Sequence, residues 1–172
     1  MHSNIQSIVN KYTRDQKYSG ATYMDKREGQ ANNREPAILP QVRFVTCPIR
    51  TSLGILGKKW TILILRDIGF LKIDRFNRIL ESITGLTPRV LSMRLKQLEH
   101  EGLIERVAER SSLIMVRWRL TEKGKDTLPI LMHLVAFGSK WYSDVVFEDK
   151  KPRKLIDIFP QPEAKEFISH IM

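Results

Sequence analysis

The stretch that decides the fold is GLTPRVLSMRLKQLEHEGLIER, residues 85–106. Thr87 suits a helix N-cap, because its hydroxyl can accept from an otherwise unpaired first-turn amide. Pro88 suits the first helical position, where a missing N–H costs nothing. Leu91, Leu95 and Leu98 recur at i, i+4 and i+7, which sets them on one side of a helix. Arg89, Met93, Lys96 and His100 fall on the opposite side, with Ser92 and Gln97 flanking them. Gly102 stops the helix as a left-handed cap. LIERVAE then reads as a strand, with Ile104 and Val107 on opposite faces. ERSS turns the chain, and LIMVRWRL alternates as a second strand, with Val116, Trp118 and Leu120 on one face.

Working outward, Pro48 opens a helix in CPIRTSLGILGKKW, with Ile49, Leu53 and Leu56 at helical spacing and Gly57 as its stop. Trp60–Phe70 reads as a second helix, apolar enough to be buried. Asp74 is placed to cap a third, Arg75–Ser82, with Phe76, Ile79 and Leu80 inward. Gly85 and Pro88 then bracket a short turn into the fourth. Helix, turn, helix, strand, basic turn, strand is the order of a winged helix-turn-helix. The expected fold is therefore mainly α with a small β-hairpin, flanked by dimerisation helices. In this geometry the Thr87–Glu101 helix lies in the major groove of double-stranded DNA, and the wing, Glu109–Leu113, follows the backbone or minor groove with Arg110, Ser111 and Ser112. The plainer alternative is an amphipathic helix whose Arg and Lys are merely solvated.

After the hairpin, Thr121 can cap a last long helix, which Pro129 would kink or divide. Leu128, Ile130, Leu131, Leu134, Val135, Phe137, Trp141, Val145 and Val146 cover more than one stripe of it. A helix apolar nearly all round needs partners on several sides, and a domain this small offers one. A second copy of the chain is the simplest supply of the other, with Leu128, Leu131, Leu134, Val135 and Trp141 as the dimerisation residues. Residues 41–147 thus form the folded DNA-binding and dimerisation domain. Residues 1–40 are a polar extension, with a short helix near Ile5–Tyr12 and with Met24 as a second candidate start. Residues 148–172 are a tail that packs on a partner or frays.

The charge agrees with this reading. The 172 residues carry a net +10, and residues 47–120 hold fourteen Lys/Arg against seven Asp/Glu, whereas residues 121–172 hold eight of each. A concentrated basic excess favours a polyanionic partner. The longest apolar runs fall short of a membrane span, since Lys58 and Lys59 interrupt the best of them, and the N-terminus lacks a secretory pattern. One cysteine, Cys47, excludes an intramolecular disulfide framework and a thiolate metal cluster, and the four histidines have no ligand spacing. A cytoplasmic protein without metal or cofactor is expected. An enzyme is disfavoured, for the chain has no paired carboxylates on one helix face, no Gly-rich phosphate loop and no nucleophile–base signature. The remaining alternative is a winged-helix protein-interaction module without specific DNA binding.

CPIRTSLGILGKKWTILILRDI resembles the opening of HxlR-type transcriptional regulators, with its Cys-Pro, its helix, its Gly-Lys-Trp turn and an apolar helix ending in Leu-Arg. RFNRILESITGLTPRVLSMRLKQLEHEGLIER resembles that family's DNA-reading unit, and LTEKGKDTLPIL the start of its dimerisation helix. The resemblance implies a homodimeric transcription regulator with a palindrome-like operator. It places DNA contacts at Thr87, Arg89, Ser92, Met93 and Lys96 and at wing residues near Arg110; Met93 departs from the polar residue common there. Some relatives sense oxidants through the cysteine that matches Cys47. From its own surroundings Cys47 reads first as a buried small apolar residue at a helix start, where the helix dipole would also favour a thiolate.

Overall fold

The computed structural model describes residues 41–110 and 114–161, and of residues 108–110, 114 and 115 only the backbone. The expected helix at Ile5–Tyr12 and the wing residues Ser111 and Ser112 lie outside the described residues, as does Met24. The chain divides into two units, residues 1–51 and 52–172. In the first, Cys47 immediately precedes α1 (Pro48–Leu56), and the Thr51 N–H and hydroxyl both donate to its carbonyl, at 3.0 and 3.1 Å. Cys47 is exposed, which corrects the expectation of a buried thiol. Every residue from Gln41 to Thr51, the described part of that unit, is exposed as well.

In the second unit the core is built by α2 (Thr61–Gly69), α3 (Phe76–Ser82), α4 (Pro88–His100) and one face of the hairpin β1 (Ile104–Arg110) and β2 (Ile114–Leu120). Ile64, Leu65, Ile79, Leu91, Leu95, Leu98 and Ile104 are buried together. Trp60 takes a left-handed φ of 77° ahead of α2, so the chain turns sharply there while its ring still joins the core. Asp67 is buried in α2, and its Oδ1 accepts from Arg66 Nε and Nη2 at 2.9 and 2.6 Å.

Asp74 does not cap α3. The cap position is Arg75, without a side-chain cap bond. Asp74 instead faces β2: its carbonyl accepts from the Trp118 N–H at 2.8 Å and its carboxylate meets Arg117 at 3.3 Å. A partner distant in sequence has outcompeted the local one, and the bond ties the segment before α3 to β2.

The two strands pair antiparallel from Ile104↔Leu120 to Arg110↔Ile114. Glu109 and Arg110 therefore belong to the ladder rather than to the expected ERSS turn, whose serines lie outside the described residues. Ile104, Trp118 and Leu120 lie on the core, but Val116, on the same face, is 44% exposed. The hairpin extends beyond the body that covers its base, and Val116 is on the projecting part.

Thr121 caps a short α5 (Glu122–Lys125) rather than a long helix, accepting from the Gly124 N–H at 3.1 Å. The chain breaks at Asp126–Thr127 and restarts as α6 (Leu128–Trp141), with Pro129 in its first turn where proline is tolerated. It breaks again at Tyr142 before α7 (Ser143–Val146). Of the expected tail, residues 148–161 are described, and they return to their own domain: α8 (Leu155–Ile158) buries Leu155 beside Met132, and Phe159 meets Phe70 with ring centroids 6.5 Å apart. Among the described residues no helix is long and apolar enough to cross a membrane.

Candidate nucleic-acid interface

α4 is held as a rigid rod on three sides. Leu91, Leu95 and Leu98 seal its inner stripe, each at most 2% exposed. At its N-terminus Thr87 Oγ1 accepts from the Val90 N–H at 3.4 Å, leaving the hydroxyl proton available to an outside acceptor. On its flank Arg94 Nε donates to the Lys59 carbonyl at 3.1 Å and Arg94 Nη1 to Gln97 Oε1 at 3.1 Å, fastening the helix to the corner that leads into α2. At its C-terminus Gly102 has φ 70°, and the Leu103 N–H reaches back to the Leu98 carbonyl at 2.9 Å. Thr121 Oγ1 donates to the Gly102 carbonyl and Lys123 Nζ to the Glu101 carbonyl, both at 2.6 Å. Gly124 completes the clamp, because a Cβ there would lie 2.0 Å from the Leu103 carbonyl oxygen.

The outer side of this rod is the surface the sequence points to. Arg89, Met93, Lys96 and His100 are exposed on it, and Ser92 is half-buried beside them. Arg89 and Lys96 are in no ion pair among the described residues. Glu99, the carboxylate nearest along the helix, is taken by Arg106 at 3.0 Å. The outer side therefore offers uncompensated cations, one hydroxyl and one exposed thioether. Guanidinium forks fit the guanine edge, hydroxyls fit either edge or a phosphate, and an apolar group fits the thymine methyl. Arg110 ends β1 opposite Ile114 on the backbone. Arg94 and Lys59 escape a reading of the sequence: Arg94 is a helix anchor rather than an outward group, and its bond to a carbonyl thirty-five residues away has no local signature.

The expected dimer residues separate into two groups. Leu128 and Leu131 are buried in the chain's own domain, at 6% and 3% exposure, and Val135 is half-buried in the small cluster with Met132 and Leu155. Leu134 and Trp141 are exposed, and with Ile130 and Phe137 they form one stripe at i, i+4, i+7 and i+11 along α6. Val145 and Val146 of α7 are exposed too.

The model of the HxlR-like helix-turn-helix family matches residues 55–145. The HTH-type transcriptional regulator sll1512 of Synechocystis is 34% identical over 95 residues, which cover 55% of this chain and 70% of that protein. The HTH-type transcriptional regulator YdeP of Bacillus subtilis is 32% identical over 117 residues, covering 66% and 88%. Among solved structures, PA1607, a candidate transcription factor, aligns with a TM-score of 0.53 at 29% identity over 64% of this chain and 72% of that one. The family match spans the helix-turn-helix, the hairpin and the helix that follows, and so the chain belongs to the HxlR-like family and is a transcriptional regulator of the helix-turn-helix type.

Proposed function

We propose that the chain acts as a homodimer that binds a near-palindromic DNA site, with the outer side of α4 in the major groove. Thr87, Arg89, Ser92, Met93 and Lys96 then meet base edges and phosphates, and the wing at Arg110, Ser111 and Ser112 follows the backbone. The observation that carries this reading is the asymmetry of α4. Its leucine side is fully consumed by packing, while its cationic side is paired with no carboxylate among the described residues. The apolar stripe Ile130, Leu134, Phe137 and Trp141 supports the second copy, since a self-complementary stripe of this kind suits a two-fold interface. Selection of bound duplexes from a random pool tests the reading. The expected product has two inverted half-sites about one helical turn apart, roughly 10 base pairs or a multiple. Recovery of no enriched motif, or of a single half-site, contradicts it.

A further inference from the structure

Between α3, the segment that leads into it and β2 lies an open depression of about 600 Å³ to which the proposed function assigns no role. Its walls include Lys72, Asp74, Arg75, Arg78, Glu81 and Arg117. Both carboxylates are already committed within it: Asp74 to Arg117 and Glu81 to Arg78, each at 3.3 Å. The other two cations have no such partner. Lys72 Nζ donates to the Gly69 carbonyl at 2.7 Å, a neutral acceptor that leaves its charge uncompensated. Arg75 is exposed and in no ion pair among the described residues. The frame beneath them is fixed, with the Ile73 N–H on the Asp67 carbonyl at 2.9 Å and the Trp118 N–H on the Asp74 carbonyl at 2.8 Å.

Two excess positive charges on one depression, a guanidinium fork and an ammonium fastened to a neutral carbonyl, suit a compact tetrahedral oxyanion. We propose that this depression is a phosphate-binding site in which Lys72 and Arg75 hold the anion. The phosphate can come from two sources, a phosphodiester of the DNA backbone and a free phosphate-bearing molecule. Position favours the first: α3 precedes α4 in the helix-turn-helix, and the first helix of that motif crosses the DNA backbone. That arm rests on the DNA reading proposed above.

The test uses the full chain and the double variant Lys72→Gln/Arg75→Gln, neither residue being on α4. Two quantities are measured: the slope of log K against log salt on duplex DNA, and the shift of the thermal midpoint by inorganic phosphate against chloride at equal ionic strength. With DNA as the source, the variant weakens binding to specific and random duplexes alike, and the slope falls by about 0.9 for each phosphate that is no longer neutralised. With a free source, the slope is unchanged, phosphate stabilises the wild type, and the variant loses that response. A variant that matches the wild type in both measurements overturns the proposal. Should the variant melt markedly earlier, the charge-conserving Lys72→Arg/Arg75→Lys pair decides. It retains the wild-type slope or phosphate response if a phosphate is bound, and it repeats the glutamine variant if those side chains only support the fold. A wild type that binds no DNA at low salt defeats the DNA reading alone, and the phosphate titration still judges the depression.

Discussion

Gly124 stands where a carbonyl leaves no room for a side chain. With the Leu103 oxygen 2.0 Å from where a Cβ would be, Gly124→Ala must push α5 away from the end of α4. The expected cost is about 1–3 kcal/mol, the range for overpacking, read as a lower midpoint in chemical unfolding with an unchanged slope. An unaltered midpoint would mean that the clamp on α4 is slack. Residues of this kind mark the edge of what sequence can disclose. Thr87, Pro88 and Gly102 are legible because their work is done within their own turn of helix. Gly124 and Asp74 are not, because Leu103, Arg117 and Trp118 reach them only once the chain has folded. Cys47 departs from expectation for a related reason, since the position of a thiol at a helix start says nothing of what covers it, and here it is exposed.

At the scale of elements, α4 and the hairpin are readable because each carries its own period. Three leucines at helical spacing and a strand alternating through Trp118 and Leu120 fix which side faces in. The C-terminal helix is harder. Its apolar residues are visible in the sequence, but the breaks at Asp126–Thr127 and Tyr142 change which of them share a side. Leu128 and Leu131 serve their own core, and Ile130, Leu134, Phe137 and Trp141 form the exposed stripe. An exposed row of that length suits a partner better than water. Leu134→Glu together with Trp141→Glu is accordingly expected to leave the monomer fold standing, since both side chains are already in solvent, and to give a monomer in sedimentation. The wild type is expected to sediment as a dimer at micromolar concentration. A monomeric wild type would remove the stripe's assigned role.

At the scale of the whole molecule, the charge and the packing divide the labour. The basic excess lies in residues 47–120, which hold α4 and the hairpin, and the balanced residues 121–172 hold the apolar stripe. Such a molecule is expected to bind any duplex weakly through phosphates and one duplex strongly through base edges, and only the second depends on the outer side of α4. Arg89 separates these contributions, because it is exposed and its removal leaves the leucine side intact. The most direct measurement is the binding of wild type and Arg89→Ala to the selected site and to random DNA across a salt series, with thermal unfolding of both. The variant is expected to lose about 1–3 kcal/mol at the selected site and to relax specificity there. Its stability should stay within about 0.5 kcal/mol of the wild type. Wild-type binding to both DNAs at every salt concentration, or a fold that melts far earlier, would show that this side of α4 is not the surface that reads DNA.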